Sequence, residues 1–92
     1  LRGQGAHRLM PPRLRRLSSR EVCQALGRFG FEVVATRGSH AKLRRTTLDG
    51  LRQTLTVPLH RELAPGTLRA IFRQACRFVP EEDLRPLFFR AG

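Results

Sequence analysis

Two turn signals leave the middle of this chain little conformational freedom. Gly38-Ser39 and Asp49-Gly50 punctuate three runs of strand-like sequence, Phe31 to Arg37, His40 to Arg45 and Leu51 to Val57. Glycine readily takes the left-handed backbone of tight hairpins, so both pairs read as turns. Connections this short join antiparallel neighbours, because a parallel crossover needs a dozen residues or more. The segment is expected to be a three-stranded antiparallel meander. Alternation then assigns its faces. Ala41 and Leu43 share one face, and His40, Lys42 and Arg44 the other. Leu51, Gln53, Leu55 and Val57 oppose Arg52, Thr54 and Thr56. In the first run Phe31, Val33 and Ala35 alternate, although Val34 breaks the pattern. Pro58 has no N–H to donate and is expected to end the last strand.

Helical signals flank the meander. Ser18 and Glu21 fit a capping box, and Leu17 and Val22 fit the accompanying hydrophobic staple. Val22, Ala25, Leu26 and Phe29 then keep the spacing of one helical face, and Gly30 suits the left-handed residue that ends a helix. After the sheet, Pro65 suits a first helical turn. Leu68, Ile71, Phe72, Ala75 and Val79 repeat the stripe. Pro80 opens a short third helix, with Glu81, Glu82 and Asp83 in the turn that the helix dipole makes favourable for negative charge. Leu84, Leu87 and Phe88 can dock it. The expected class is α+β, in the order α-β-β-β-α with a short C-terminal helix. The two main apolar stripes need one sheet face as their partner. The other face is left to His40, Lys42, Arg44, Arg52, Thr54 and Thr56.

The 92 residues suit one small domain with a limited core. Met10 is the only methionine, and the nine residues before it have no periodicity. Residues 1–13 are therefore expected to be a cloning remnant or a flexible arm, in which His7 has no function, and residues 14–92 the domain. No apolar run approaches the roughly 20 residues of a membrane span. Cys23 and Cys76 make neither a CxxC motif nor a metal-ligand set. They read as small hydrophobes in a reducing, cytoplasmic setting. The three histidines lack ligand companions at metal spacing, so neither metal nor cofactor is expected.

Charge narrows the function. There are 18 Lys+Arg against 7 Asp+Glu, a formal net charge of +11, and all but Lys42 of the basic residues are arginine. Such a surplus repels itself and attracts polyanions, nucleic acid first and acidic proteins next. The planar guanidinium matches phosphate with paired hydrogen bonds. The alternative is a chain whose surface simply carries arginine. Within that charge His40 follows the Gly38-Ser39 turn and shares parity with Lys42 and Arg44, so it faces water. Histidine can exchange protons near neutral pH, and RNA offers a 2′-OH that attacks the adjacent phosphate once deprotonated. Lys42, Arg44 and Arg52 can stabilise the negative charge that builds on the phosphoryl oxygens. His60 shares the parity of Thr54 and Thr56 if the chain stays extended past Pro58. It is then a possible partner for His40, and otherwise a loop residue without a role. A Ser39–His40 nucleophile pair is not expected, since strand neighbours point to opposite faces.

Four pieces in order add a family resemblance. Ser19-Arg20-Glu21-Val22 to Gly30-Phe31, Gly38-Ser39-His40, Val57-Pro58-Leu59-His60 and Pro65-Gly66-Thr67-Leu68-Arg69-Ala70-Ile71 resemble the HicA/YcfA-type toxins. These are small bacterial mRNA interferases of type II toxin–antitoxin modules. The similarity runs from about Leu14 to Phe88. One departure is Cys76 after Ala75, where the family often has glycine. The resemblance implies a fold like the double-stranded-RNA-binding domain (dsRBD), with two helices on one face of a three-stranded sheet. It implies that His40 is catalytic, that Gly38 and Ser39 form the turn presenting it, and that Gly66, Thr67 and Leu68 are structural. It also implies mRNA cleavage without the ribosome, and neutralisation by a cognate HicB-type antitoxin that covers the active site. The expected function is thus an endoribonuclease toxin with His40 as catalyst and Ser39, Lys42, Arg44, Arg52 and His60 as RNA contacts. The alternatives are a non-catalytic dsRBD-like RNA-binding module and a purely protein-binding role toward an acidic partner.

Overall fold

A computed structural model describes residues 12–91 of the chain. The expectations for residues 1–11, including His7 and the start at Met10, lie outside the described residues. The elements are β1 (Arg13–Leu14), α1 (Ser19–Gly27), β2 (Glu32–Arg37), β3 (His40–Thr46), β4 (Arg52–Pro58), α2 (Pro65–Ala75), α3 (Glu81–Phe88) and β5 (Phe89–Arg90). The meander is there in the order β2-β3-β4, with both pairings antiparallel. Its first turn has a positive φ, 53°, at Gly38 and at no non-glycine residue. That is the type II′ pattern, whose twist matches that of the flanking strands. The fold is the α-β-β-β-α arrangement expected, dsRBD-like, with α3 added at the C-terminal end.

Local chemistry accounts for the helices. The Ser18 N–H donates to Glu21 Oε1 at 2.9 Å, and the Glu21 N–H donates to Ser18 Oγ at 3.1 Å, completing the capping box. The α1 stripe buries Val22 and Leu26 completely. On α2, Leu68, Ile71, Phe72 and Ala75 are buried against Ala41, Leu43, Leu55 and Val57 of the sheet in one core. The short α3 adds Leu84 and Phe88 to it. The ring of Phe72 meets Phe88 at 5.4 Å and Phe89 at 5.1 Å. Such tilted and edge contacts stabilise beyond the area they bury.

Three details depart from the alternation read along the chain. The first is β2, where every residue is exposed and Val33 keeps 51% of its surface in solvent. Val33 lies opposite Leu43 and Ala35 opposite Lys42, so Val34 is an extra residue, a bulge. A bulge flips parity beyond it. Val33 therefore faces the helices, while Ala35 and Arg37 turn to the open face. The second is Leu51, 60% exposed rather than part of the apolar stripe. Its carbonyl and N–H bond to the Thr47 N–H (2.8 Å) and Oγ1 (3.0 Å), which holds it in the turn. The third is β1, which pairs antiparallel with β5 as a small ribbon. Arg13 thus lies in a paired strand, at the end of the segment expected to be an arm.

Arg45 occupies the helix-facing side of β3, opposite Gln53. Its Nε donates to Gln53 Oε1 at 2.6 Å. Its two terminal nitrogens donate to the carbonyls of Phe29 (2.9 Å) and Phe78 (2.7 Å), just past the ends of α1 and α2. The guanidinium also lies 5.0 Å from the Phe31 ring centroid. One cation thereby satisfies carbonyls that two helix ends leave free. Replacing it strands at least two acceptors, and each costs about 1–3 kcal/mol if it stays buried. Arg45→Met is expected to lower unfolding stability by about 2–4 kcal/mol, with Arg45→Lys recovering only part because ammonium lacks the fork. Urea denaturation followed by circular dichroism checks it; an unchanged midpoint removes the clamp from the account.

Candidate functional site

The face of the sheet away from the helices is assembled by register. His40 lies opposite Arg37 on one side and Pro58 on the other. Lys42 lies opposite Ala35 and Thr56, and Arg44 opposite Glu32 and Thr54. Arg52 closes the row opposite Thr46. Directly opposed residues share a face. His40, Lys42, Arg44, Arg52, Thr54 and Thr56 thus stand together, as strand parity predicts. The bulge at Val34 adds Arg37, a cation missed by reading β2 as a plain strand. The one signal for it was Val34 itself, the residue that spoiled the alternation.

His40 is exposed and lines a shallow pocket of 330 Å³ with Ala35, Arg37, Ala41, Lys42 and Thr56. Its Nδ1 is 3.5 Å from Ser39 Oγ, at the long limit of a hydrogen bond. With Nδ1 protonated, that hydroxyl accepts and Nε2 keeps a free lone pair. With Nε2 protonated, the hydroxyl donates and Nε2 carries the proton to be given. Arg44 is half-buried, and its Nε is shielded from solvent without a hydrogen-bond partner among the described residues. An unmet buried donor of this kind costs stability.

His60 stands elsewhere. After Pro58 the chain is drawn toward α1 by Ser19, the one polar residue among the described buried residues, only 4% exposed. The Ser19 hydroxyl lies 2.6 Å from the Pro58 carbonyl and 2.8 Å from that of His60, and it accepts the His60 N–H. The Ser19 N–H also donates to the His60 carbonyl, at 3.0 Å. His60 consequently lines a separate groove of 550 Å³ with Ser19, Cys23, Val33, Leu59 and Arg61, not the pocket of His40. The neighbouring Cys23 thiol is pushed up by burial, which keeps it protonated and a poor nucleophile. Cys76 is also pushed up, by burial first and then by the charge of Glu81.

The Leu59 N–H donates to the Ser39 carbonyl at 2.7 Å. The turn before His40 is thus tied through Leu59 and His60 to Ser19 and the start of α1. Among the described residues no group of three or more His, Cys, Asp or Glu is gathered as a metal site.

A family model described as the HicA toxin of bacterial toxin–antitoxin systems matches residues 19–75. The chain belongs to the HicA toxin family. It is a toxin-type chain of a toxin–antitoxin system, and membership implies an antitoxin as partner. The matched segment runs from the first residue of α1 to the last of α2, and so contains the whole sheet, His40 and its cationic neighbours. The ribbon of β1 and β5, and α3, lie outside it. A search of curated proteins finds no match to this HicA chain. None of its described helices is long and apolar enough to cross a membrane.

Ser19→Ala leaves the His60 N–H and one carbonyl without their partner. It is expected to cost about 1–3 kcal/mol of stability. The His60 amide should also exchange with deuterium faster than in the parent. Unchanged exchange there would show that Ser19 does not hold this segment.

Proposed function

We propose that this HicA toxin is an endoribonuclease of mRNA in which His40 acts as general acid or base. The observation that carries the reading is the gathering of an exposed imidazole with Arg37, Lys42 and Arg44 on the face that no helix covers. An RNA strand across that face has its phosphates near guanidinium and ammonium groups and its 2′-OH groups within reach of the imidazole. His40 Nε2 takes the 2′-OH proton as the O2′–P bond forms. The P–O5′ bond breaks, and the 5′-oxygen takes a proton from the imidazolium or from water. The products are a 2′,3′-cyclic phosphate and a 5′-hydroxyl. Arg37, opposite His40, and Lys42, two residues along the same face, favour the charge that develops on the phosphoryl oxygens, while Arg44 and Arg52, farther along the row, hold flanking phosphates. Ser39 orients the ring. His60 contributes through its backbone to the placement of the turn, and contacts RNA only if the strand reaches its groove. The chemistry calls on no metal or cofactor. A HicB-type antitoxin that covers this face would block both binding and cleavage. An mRNA target makes the cytoplasm the place of action.

The second reading is a non-catalytic RNA-binding module, which the same cationic face supports. His40→Ala separates the two. Purified His40→Ala is expected to lose about 10²- to 10⁴-fold in cleavage rate on a labelled RNA, to bind that RNA as before, and to relieve toxicity on expression. Full cleavage by the variant would overturn the assignment of His40. Binding without fragments from the parent would favour the second reading. Lys42→Gln and Arg44→Gln should each reduce the salt slope of RNA binding by about 1.

A further inference from the structure

The ribbon of β1 and β5 sets Arg13 directly opposite Arg90. Like charges facing across a strand pair repel and destabilise it. The inward side of the same ribbon explains why the pairing persists. There Leu14 opposes Phe89, both pack on the core, and Phe89 rests against Phe72. The outward side has no such explanation. Arg13 and Arg90 line a pocket of 410 Å³ together with Arg15, Arg16 and Glu21. Four arginines thus share this pocket with one carboxylate, and that carboxylate is engaged in the α1 capping box. Arg15 is held by its Nε donating to the Pro86 carbonyl at 3.1 Å, which leaves its charge uncompensated. Arg16 has Glu62 at 3.5 Å, an exposed pair that contributes little.

We propose that this ribbon is a second phosphate-binding surface, which holds RNA backbone on the helix side of the domain, apart from the sheet face that carries His40. The proposal rests on the RNA reading of that face and adds a contact outside the segment shared with the HicA family. A planar, bidentate donor pair on each strand of the ribbon suits phosphate oxygens. An anion between Arg13 and Arg90 turns their repulsion into a shared attraction. The ribbon specifies no base, since phosphate contacts position a nucleic acid without reading it.

The test uses His40→Ala protein, so that RNA survives the measurement, with and without R13Q/R90Q. Binding of a fluorescein-labelled RNA oligonucleotide is followed by anisotropy from low to high salt. The double variant is expected to bind more weakly at low salt. Its plot of log affinity against log salt should be shallower by about 1.4 to 1.8, the value for two lost phosphate contacts. R13K/R90K should recover most of the slope. The melting temperature of R13Q/R90Q should equal or exceed the parent's, because a repulsion has been removed; a fall would mean that the arginines are structural and would overturn the proposal. An unchanged slope, with the His40→Ala protein binding RNA normally, overturns the ribbon site and leaves the sheet face untouched. No RNA binding by the His40→Ala protein at any salt overturns the RNA reading and the ribbon site with it. Loss of polyglutamate binding in R13Q/R90Q with RNA binding unchanged assigns the ribbon to an acidic protein instead, and likewise overturns it.

Discussion

The guanidinium of Arg45 is the point on which the two layers of this protein meet. It leaves the helix side of β3, takes the carbonyls that follow α1 and α2, and lies against Phe31. A domain this small buries few apolar side chains, so the angle between sheet and helices depends on more than core volume. A planar cation with several donors can hold two helix ends at once, and its charge suits the negative end of the helix dipole. With both helices anchored to one side, the other side of the sheet stays bare. That bare side carries His40, Lys42, Arg44 and Arg52.

The arrangement divides β3 residue by residue. Ala41 and Leu43 are buried under the helices while His40 and Lys42 between and beside them reach solvent. Arg44 and Arg45 are adjacent in the chain and do opposite work, one facing the proposed substrate and one bracing the fold. A net charge of +11 opposes compaction. One of those charges, that of Arg45, is turned to structural use, and others are spread over the open face and the terminal ribbon. The hairpin that presents His40 is further tied by Leu59 to the Ser39 carbonyl, and through Ser19 to the start of α1. The imidazole is therefore carried on a braced turn, although the residue itself is exposed.

Much of this was legible from local patterns. The capping box at Ser18 and Glu21, the II′ turn at Gly38 and the buried parity of Ala41, Leu43, Leu55 and Val57 each follow from residues a few positions apart. Most of the features that escaped the reading depend on residues far apart, Leu51 being the exception. The bulge at Val34 exists because β2 must stay in register with Leu43 on one side of it and Lys42 on the other. Leu51 looked like a core residue because it kept the strand's parity, but the Thr47 turn claimed its backbone. Arg45 has the parity of Ala41 and Leu43, yet nothing near it in the chain names its partners. Its partners at Phe29 and Phe78 are 16 and 33 residues away. Ser19 gives no local sign of its role, and its hydroxyl serves a segment some 40 residues later.

Short-range chemistry alone was enough to decide the turns, the helix starts, the antiparallel meander and the face on which His40 stands, because hairpin length and strand alternation act between near neighbours. Packing decided the rest. It set which arginine is structural and which is free, it brought Arg37 to His40 by way of a bulge, and it steered His60 into a groove of its own. It also paired the two ends of the described segment into a ribbon with Arg13 against Arg90. Each of those outcomes needs hydrogen-bond partners or apolar surfaces supplied from distant parts of the chain, and a linear pattern carries no record of which distant groups will meet.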